Sequence, residues 1–226
     1  AGGNAASRIA RWNGTTWAPL GNGISTAPLS GLYAVVTMPN GDIVAGGYFT
    51  AAGGTPANAI ARWNGSTWSA LGSGIGTTVF AMAVLPNGDL LVGGNFASAG
   101  GVPAARIARW NGTTWSALGT GLSGFRVNAI TPLPNGDIVV GGAFTTAGGQ
   151  PASNIALWNG STWSPLGSGM NGDVLALVTM PNCDLLAGGQ FTTAGSTAAN
   201  GCARWNGSVW SALGFAAGSQ VYAATT

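Results

Sequence analysis

Short apolar segments alternate with polar, glycine-rich punctuation along the whole chain. Val79 to Leu85 is apolar throughout and stops at Pro86-Asn87-Gly88-Asp89, a turn sequence. A second apolar stretch leads from that Asp through Gly93-Gly94 to Phe96. A Gly- and Ala-rich loop follows, then Ile107-Ala108-Arg109-Trp110, then Asn111-Gly112 and a segment carrying Trp115 and Leu118. This pattern predicts four short strands, A to D. Asn-Gly stands at both the A-to-B and C-to-D turns and is expected to supply the two positive φ angles of a tight hairpin. In a two-residue hairpin around Asn64-Gly65, Trp63 faces Ser66 and Trp68 lies diagonally across, with both indoles on one face. Such pairs are expected to form the packing layer between neighbouring units.

The pattern repeats. Trp-Asn-Gly begins at Trp12, Trp63, Trp110, Trp158 and Trp205, at spacings of 51, 47, 48 and 47 residues, and a second Trp follows at Trp17, Trp68, Trp115, Trp163 and Trp210. These pairs account for all 10 tryptophans. Between them Pro-Asn-Gly-Asp begins at Pro39, Pro86 and Pro134, and a near copy at Pro181 has Cys183 in place of Gly. Each copy leads to a glycine doublet (Gly46-Gly47, Gly93-Gly94, Gly141-Gly142, Gly188-Gly189) and then to Phe49, Phe96, Phe144 or Phe191. No helical period is present. Repeated antiparallel strand quartets of this length, rich in Gly and aromatics, predict an all-β fold, a β-propeller of four-stranded antiparallel blades.

The glycine doublet, the aromatic before the C-to-D turn and the Trp after it resemble the kelch repeat. The phrase G-G-x-F-T-x-A-G-G, followed by I-A-R-W-N-G-S-T-W-S-A-L-G-S-G, is more similar to secreted bacterial propeller repeats and to the repeats of fungal cortical polarity-marker proteins. The resemblance covers nearly the whole chain. It implies the fold and leaves the role open, because kelch-like propellers include scaffolds, adaptors, lectin-like binders and a copper oxidase. The oxidase chemistry needs His ligands, and this chain has no His.

Complete units are expected over about 32–71, 79–118, 127–166 and 174–213, within a single domain spanning 1–226. A hairpin over 8–20 and a strand over 221–226 remain. Joined, they would make a composite blade, giving a five-bladed ring closed across the termini. That blade lacks a strand B. A longer parent chain, a second chain or a tolerated gap would each account for this. The chain opens with Ala and shows no charged-then-apolar leader, which reads as a mature or trimmed product.

Composition narrows the chemistry. Only 5% of the 226 residues are charged, seven Arg against five Asp, giving a net charge of +2, while 46% are hydrophobic and 40 are Gly. Nucleic acid is therefore an unexpected partner, and no apolar run approaches the roughly 18 residues that span a bilayer. Without His, Lys or Glu the usual general bases, Schiff-base amines and most metal ligands are missing, so neither enzyme activity nor a cofactor or metal is expected. Cys183 and Cys202 form no metal-binding spacing, and as turn and strand residues of one blade they are expected to be free, buried thiols.

Residues that recur in every unit are read as architectural: the 10 tryptophans and Asp42, Asp89, Asp137 and Asp184, each expected to accept backbone N–H bonds from its own turn. Arg11, Arg62, Arg109 and Arg204, with Leu157 breaking the series, are expected to cover an indole face or bond loop carbonyls. The Asn-x-Ser/Thr sequons at Asn13, Asn64, Asn111, Asn159 and Asn206 coincide with turn Asn-Gly, so glycosylation is expected only in a eukaryotic secretory pathway.

A specific site should lie where the units differ. Just before strand A stand Gly31, Thr78, Arg126, Asp173 and Gln220, and two residues later Tyr33, Phe80, Asn128, Leu175 and Tyr222. Both series should ring one mouth of the central channel. Thr78, Arg126, Asp173, Gln220, Tyr33, Asn128 and Tyr222 are the candidate ligand-binding residues, and Arg126 and Asp173 are placed to pair or to present opposite charges to a ligand. Tyr48, Asn95, Ala143 and Gln190 vary on the same face, where the long first loop from Gly21 to Gly31, with Pro28, should protrude. The expected function is a non-enzymatic, extracellular or cell-surface interaction module for a protein or glycan. The alternatives are a structural surface-array element, self-associating or part of a longer chain, and a lectin with aromatic pockets between blades.

Overall fold

A computed structural model describes residues 1–3, 5–25, 31–216 and 218–223. Every regular element among them is a β-strand. Four antiparallel sheets follow one another in sequence, each built on a four-strand meander in which consecutive long strands are neighbours, and the third carries Gln150–Pro151 as an additional short strand. Blade 1 runs Gly31–Thr37, Ile43–Tyr48, Ile60–Trp63 and Trp68–Ala70. Blade 2 runs Val79–Val84, Leu90–Gly94, Ile107–Trp110 and Trp115–Ala117. Blade 3 runs Leu122–Pro132, Ile138–Ala147, Ile155–Trp158 and Trp163–Pro165. Blade 4 runs Val174–Thr179, Leu185–Gly189, Cys202–Trp205 and Trp210–Ala212. A hairpin of Ala10–Trp12 with Trp17–Pro19 precedes them. The first strands of successive blades lie side by side around the channel. Residues 26–30, in the long first loop with Pro28, and residues 224–226 of the expected last strand lie outside the described residues.

Both hairpin turns differ from the two-residue expectation. At the A-to-B turn Met38 pairs with Asp42 across a three-residue loop, donating from its amide to the Asp42 carbonyl at 2.8 Å. Only Gly41, Gly88 and Gly136 have positive φ there (86°, 86° and 90°), and Cys183 takes the same conformation at 67°. This is the pattern of a turn closed by one left-handed residue. At the C-to-D turn Trp63 pairs directly with Trp68 across the four residues Asn64 to Thr67. Asn64 Oδ1 accepts hydrogen bonds from the backbone N–H of Ser66 (3.0 Å) and Thr67 (2.9 Å) and from the Ser66 hydroxyl (3.0 Å). The side chain closes the loop, so Asn needs no positive φ, and the sequon pattern is the signature of that closure.

The tryptophans join the blades unequally. The second Trp of each complete blade is buried and donates from Nε1 to the carbonyl of the Leu that ends the preceding unit: Trp68 to Leu20 (2.8 Å), Trp115 to Leu71 (2.9 Å), Trp163 to Leu118 (2.8 Å) and Trp210 to Leu166 (3.1 Å). The first Trp tilts against it at 5.1–5.5 Å between ring centroids and stays half-buried. At the two ends of the array Trp12, Trp17 and Leu213 are 48%, 42% and 44% exposed.

The glycine doublets serve two separate contacts. A Cβ on Gly46, Gly93 or Gly141 would fall 2.4–2.6 Å from a methyl of Val79, Val127 or Val174, so the first glycine is the floor on which the next blade's Val sits. A Cβ on Gly47, Gly94, Gly142 or Gly189 would fall 2.0–2.1 Å from the backbone oxygen of Gly31, Thr78, Arg126 or Asp173. The second glycine admits the irregular start of strand A, where the register shifts. Val221 lies on Gly188 as Val79 lies on Gly46, 2.5 Å from the corresponding Cβ position, and its amide donates to the Gly189 carbonyl at 3.3 Å.

Candidate functional site

One mouth of the channel is formed by the starts of the first strands and the loops beside them. Its individuality begins with loop length. Eight residues separate Leu118 from Val127, against seven between Leu71 and Val79 and between Leu166 and Val174. The loop accommodates its additional residue with Gly124 at φ 144°. As a result the strand of blade 3 starts at Leu122, not near Val127, because Leu122 and Ser123 pair with Ala147 and Thr146. The equivalent contacts elsewhere are isolated bridges, Ile75 to Ala99 and Met170 to Ala194. The same loop carries Phe125, which is 62% exposed. Phe125 is not among the candidates that the repeat pattern singles out, although the longer spacing is visible in the sequence.

Around this mouth four blades touch in series. Tyr33 and Phe80 stack at 5.3 Å between centroids, tilted by 37°. The guanidinium carbon of Arg126 lies 5.5 Å from the Phe80 ring centre and 5.2 Å from that of Phe125. Arg126 Nη2 is 3.6 Å from Asp173 Oδ2, and each side chain is 31% exposed. Arg126 Nε is buried with no hydrogen-bond partner among the described residues. The guanidinium is therefore held by two aromatic rings and one loosely placed carboxylate, an arrangement that leaves donor capacity unused.

The remaining predicted residues divide between support and surface. Thr78 is buried, and its amide donates to Asn95 Oδ1 at 3.2 Å. Asn128 donates from Nδ2 to the Val174 carbonyl at 3.1 Å, tying blade 3 to blade 4. Gln220 and Tyr222 are exposed and form a cluster with Gln190, whose Nε2 donates to Gln220 Oε1 (3.1 Å) and Tyr222 Oη (3.4 Å), while the Tyr222 hydroxyl donates to Gln220. The Gln190 amide in turn donates to the Asp173 carbonyl at 2.8 Å. Tyr33 and Tyr48 are 53% and 48% exposed.

The opposite mouth is built from the A-to-B turns. It holds a depression of about 560 Å³ lined by Leu85, Pro86, Leu133, Pro134, Met180 and Pro181. Beside it the repeated Asp residues differ from expectation. Asp42 takes a hydrogen bond from Asn40 Nδ2 (2.8 Å) and pairs with Arg62 Nε (3.0 Å), while its own amide donates to Asn40 Oδ1 (3.1 Å). Asp89 with Arg109 and Asp184 with Arg204 repeat the pair. The Asn side chain therefore caps the turn, leaving the carboxylate to anchor the Arg of strand C. In blade 3 Leu157 occupies the Arg position and Asp137 keeps the bond from Asn135, at 2.8 Å. Cys183 and Cys202 are both free, and Cys183 is exposed where burial was expected, because its turn projects into solvent. Burial pushes the Cys202 thiol up, partly offset by a backbone hydrogen bond at Ala203. Among the described residues no three His, Cys, Asp or Glu side chains gather as a metal site.

The Rax2 C-terminal beta propeller domain matches residues 116–220, and the DUF5122 beta-propeller, a domain of unknown function, matches residues 39–65 and 85–112. The chain is a β-propeller repeat protein. No curated protein matches it significantly in sequence. Among solved structures, the propeller of YCF48, solved with a D1 peptide, superposes with a TM-score of 0.52 at 17% identity, covering 87% of this chain and 57% of that one. An unknown-function protein from Dyadobacter fermentans matches at 0.44 and 16% identity, covering 85% of this chain and 65% of its own. The extracellular domain of BT4673 from B. thetaiotaomicron matches at 0.49 and 8%, covering 77% and 21%. This propeller thus spans less than two thirds of each of these structures, and the likeness to YCF48 is one of fold.

Proposed function

We propose that this propeller is a non-enzymatic interaction module that captures a protein or peptide at the mouth formed by Tyr33, Phe80, Phe125, Arg126 and Asp173. The observation that carries this reading is the aromatic embrace of Arg126. The Arg126 guanidinium, whose Nε has no partner among the described residues, stands between Phe80 and the exposed Phe125, with exposed Tyr33 stacked on Phe80, and Tyr, Phe and Arg are the side chains that concentrate binding energy in protein interfaces. Thr78 and Asn128 hold the strand starts from behind. The fold accommodates such a partner, since YCF48 is described with a bound peptide. The absence of His, Lys and Glu from the composition supports binding over catalysis.

The same reading places the propeller outside the cell or on its surface, on the strength of the lysine-free, Asn- and Thr-rich sequence. It also includes a ring of five blades, supported by Val221 seated on Gly188 as the other blades' Val residues are seated.

Panning a displayed peptide library on the folded protein tests the mouth. Enriched peptides should lose binding to Arg126→Ala and Phe125→Ala and keep it with Asn135→Ala on the opposite face. Peptides that bind all three variants equally would remove this reading.

A further inference from the structure

Apart from the mouth, the groove between blades 1 and 2 combines a shaped cavity with unspent polar atoms. It has a volume of about 250 Å³, the scale of a single sugar ring, and it lies beside the A-to-B turns. Its walls include Asn40, Asp42 and Arg62 of blade 1, the Trp110 indole of blade 2, and the apolar Met38 and Pro39. We infer that this groove is a binding site for a neutral pyranose. Trp110 is fixed by its tilted contact with Trp115 at 5.1 Å, so its ring is a rigid wall that needs no ordering on binding. A pyranose presents one C–H face suited to an aromatic wall and a rim of hydroxyls that both donate and accept. The groove answers both.

The polar side is specific to this blade. Asp42 uses Oδ2 for both Asn40 and Arg62, and no hydrogen bond to its Oδ1 forms among the described residues. Arg62 approaches through Nε, and its two terminal nitrogens make no hydrogen bond among the described residues. One carboxylate acceptor and a guanidinium edge with free donors thus stand on the wall opposite the indole, the pairing that adjacent hydroxyls satisfy. In blade 2 Arg109 spends both Nε and Nη2 on Asp89. In blade 3 Leu157 removes the guanidinium altogether. The inference is independent of the mouth, which lies at the opposite end of the blades.

Saturation-transfer NMR on the intact chain tests it, with the methyl glycosides of glucose, mannose, galactose and N-acetylglucosamine as probes and sorbitol as an open-chain polyol. At least one glycoside should receive saturation through its ring protons, with sorbitol giving none. Arg62→Leu, a change whose side chain blade 3 already accommodates at Leu157, should weaken that glycoside about tenfold, the loss of one charge-assisted hydrogen bond. Arg109→Leu and Arg126→Ala should leave it unchanged, with near-ultraviolet circular dichroism confirming the fold of each variant. Absence of transfer to all four glycosides, equal binding by Arg62→Leu, or equal competition by sorbitol would each overturn the site.

Discussion

Trp163 Nε1 donates a hydrogen bond to the Leu118 carbonyl at 2.8 Å, so a side chain of blade 3 completes the backbone bonding of blade 2. The indole is 7% exposed and the Leu118 side chain is buried with it. Two properties of the interface reside in one residue, apolar burial and satisfaction of a buried acceptor. They can be separated. Trp163→Phe retains most of the ring and orphans the carbonyl, which should cost about 1–3 kcal/mol. Trp163→Ala also opens a cavity and should cost about 3–5 kcal/mol. Urea unfolding of the two variants separates the contributions: no loss in Trp163→Phe would show that the hydrogen bond contributes nothing, and equal losses would show that the ring retained by Phe contributes nothing. Neighbouring blades share each such interface, so the loss should propagate as reduced cooperativity.

Cys183 sits at φ 67° in the position that Gly41, Gly88 and Gly136 fill in the other blades. Side chains tolerate that region poorly because Cβ crowds the backbone, at about 1–2 kcal/mol per residue. Added Cβ atoms at Gly41 and Gly136 would meet nothing within 4 Å, so the cost at this turn is conformational and packing does not offset it. Cys183→Gly should therefore stabilise the fold by about 1 kcal/mol after the greater chain entropy of glycine is subtracted. The measurement is a shift of the urea midpoint to higher concentration, and a midpoint that falls would contradict it.

The repeat, the strand quartets and the channel mouth were legible because each rests on spacing, and spacing is a property of sequence. The two turns were not. Asn-Gly has the same letters in a two-residue hairpin, in the loop closed by Gly41 and in the loop closed by the Asn64 side chain, and the choice depends on which neighbours hydrogen-bond. The Asp42–Arg62 pair was hidden for a similar reason. The two residues are 20 positions apart, and only the register of strands B and C brings them together. At the mouth, Arg126 and Asp173 were recognisable as departures from the repeat. Phe125 was obscured because it belongs to a loop that departs by length, so aligning the units left it without a counterpart.

The two thiols should respond oppositely to reagent. Cys183 is exposed and should be modified by an aromatic disulfide at once, whereas Cys202 is buried and should react only when blade 4 opens. Burial raises the Cys202 pKa in the folded state, so the folded chain holds its proton more tightly than the unfolded chain. Stability from this group is complete below the ordinary thiol range and declines as pH rises through that range toward the raised value. Cys202→Ala should abolish that alkaline decline and leave neutral-pH behaviour otherwise intact. One fast and one slow thiol at neutral pH is the expected count, and two fast thiols would refute the burial.

Gly141 and Gly142 look equivalent in sequence and face different obstacles. A methyl on Gly141 meets the Val174 side chain, 2.4 Å from Cγ1 and 2.9 Å from Cβ, which can move only by separating blade 4 from blade 3. A methyl on Gly142 meets the Arg126 carbonyl oxygen at 2.1 Å, and that backbone belongs to the same sheet. Overpacking of this kind typically costs about 1–3 kcal/mol, with higher values where no side chain can yield, so Gly142→Ala should be the more damaging. The positions also differ in what they disturb. Gly141→Ala should lower stability while leaving the Arg126 environment intact, and Gly142→Ala should displace Arg126 from Phe80 and Phe125. Denaturant midpoints together with the ring-current shift of the Arg126 side-chain protons distinguish these outcomes. If both variants keep that shift, the second glycine is not what positions the guanidinium.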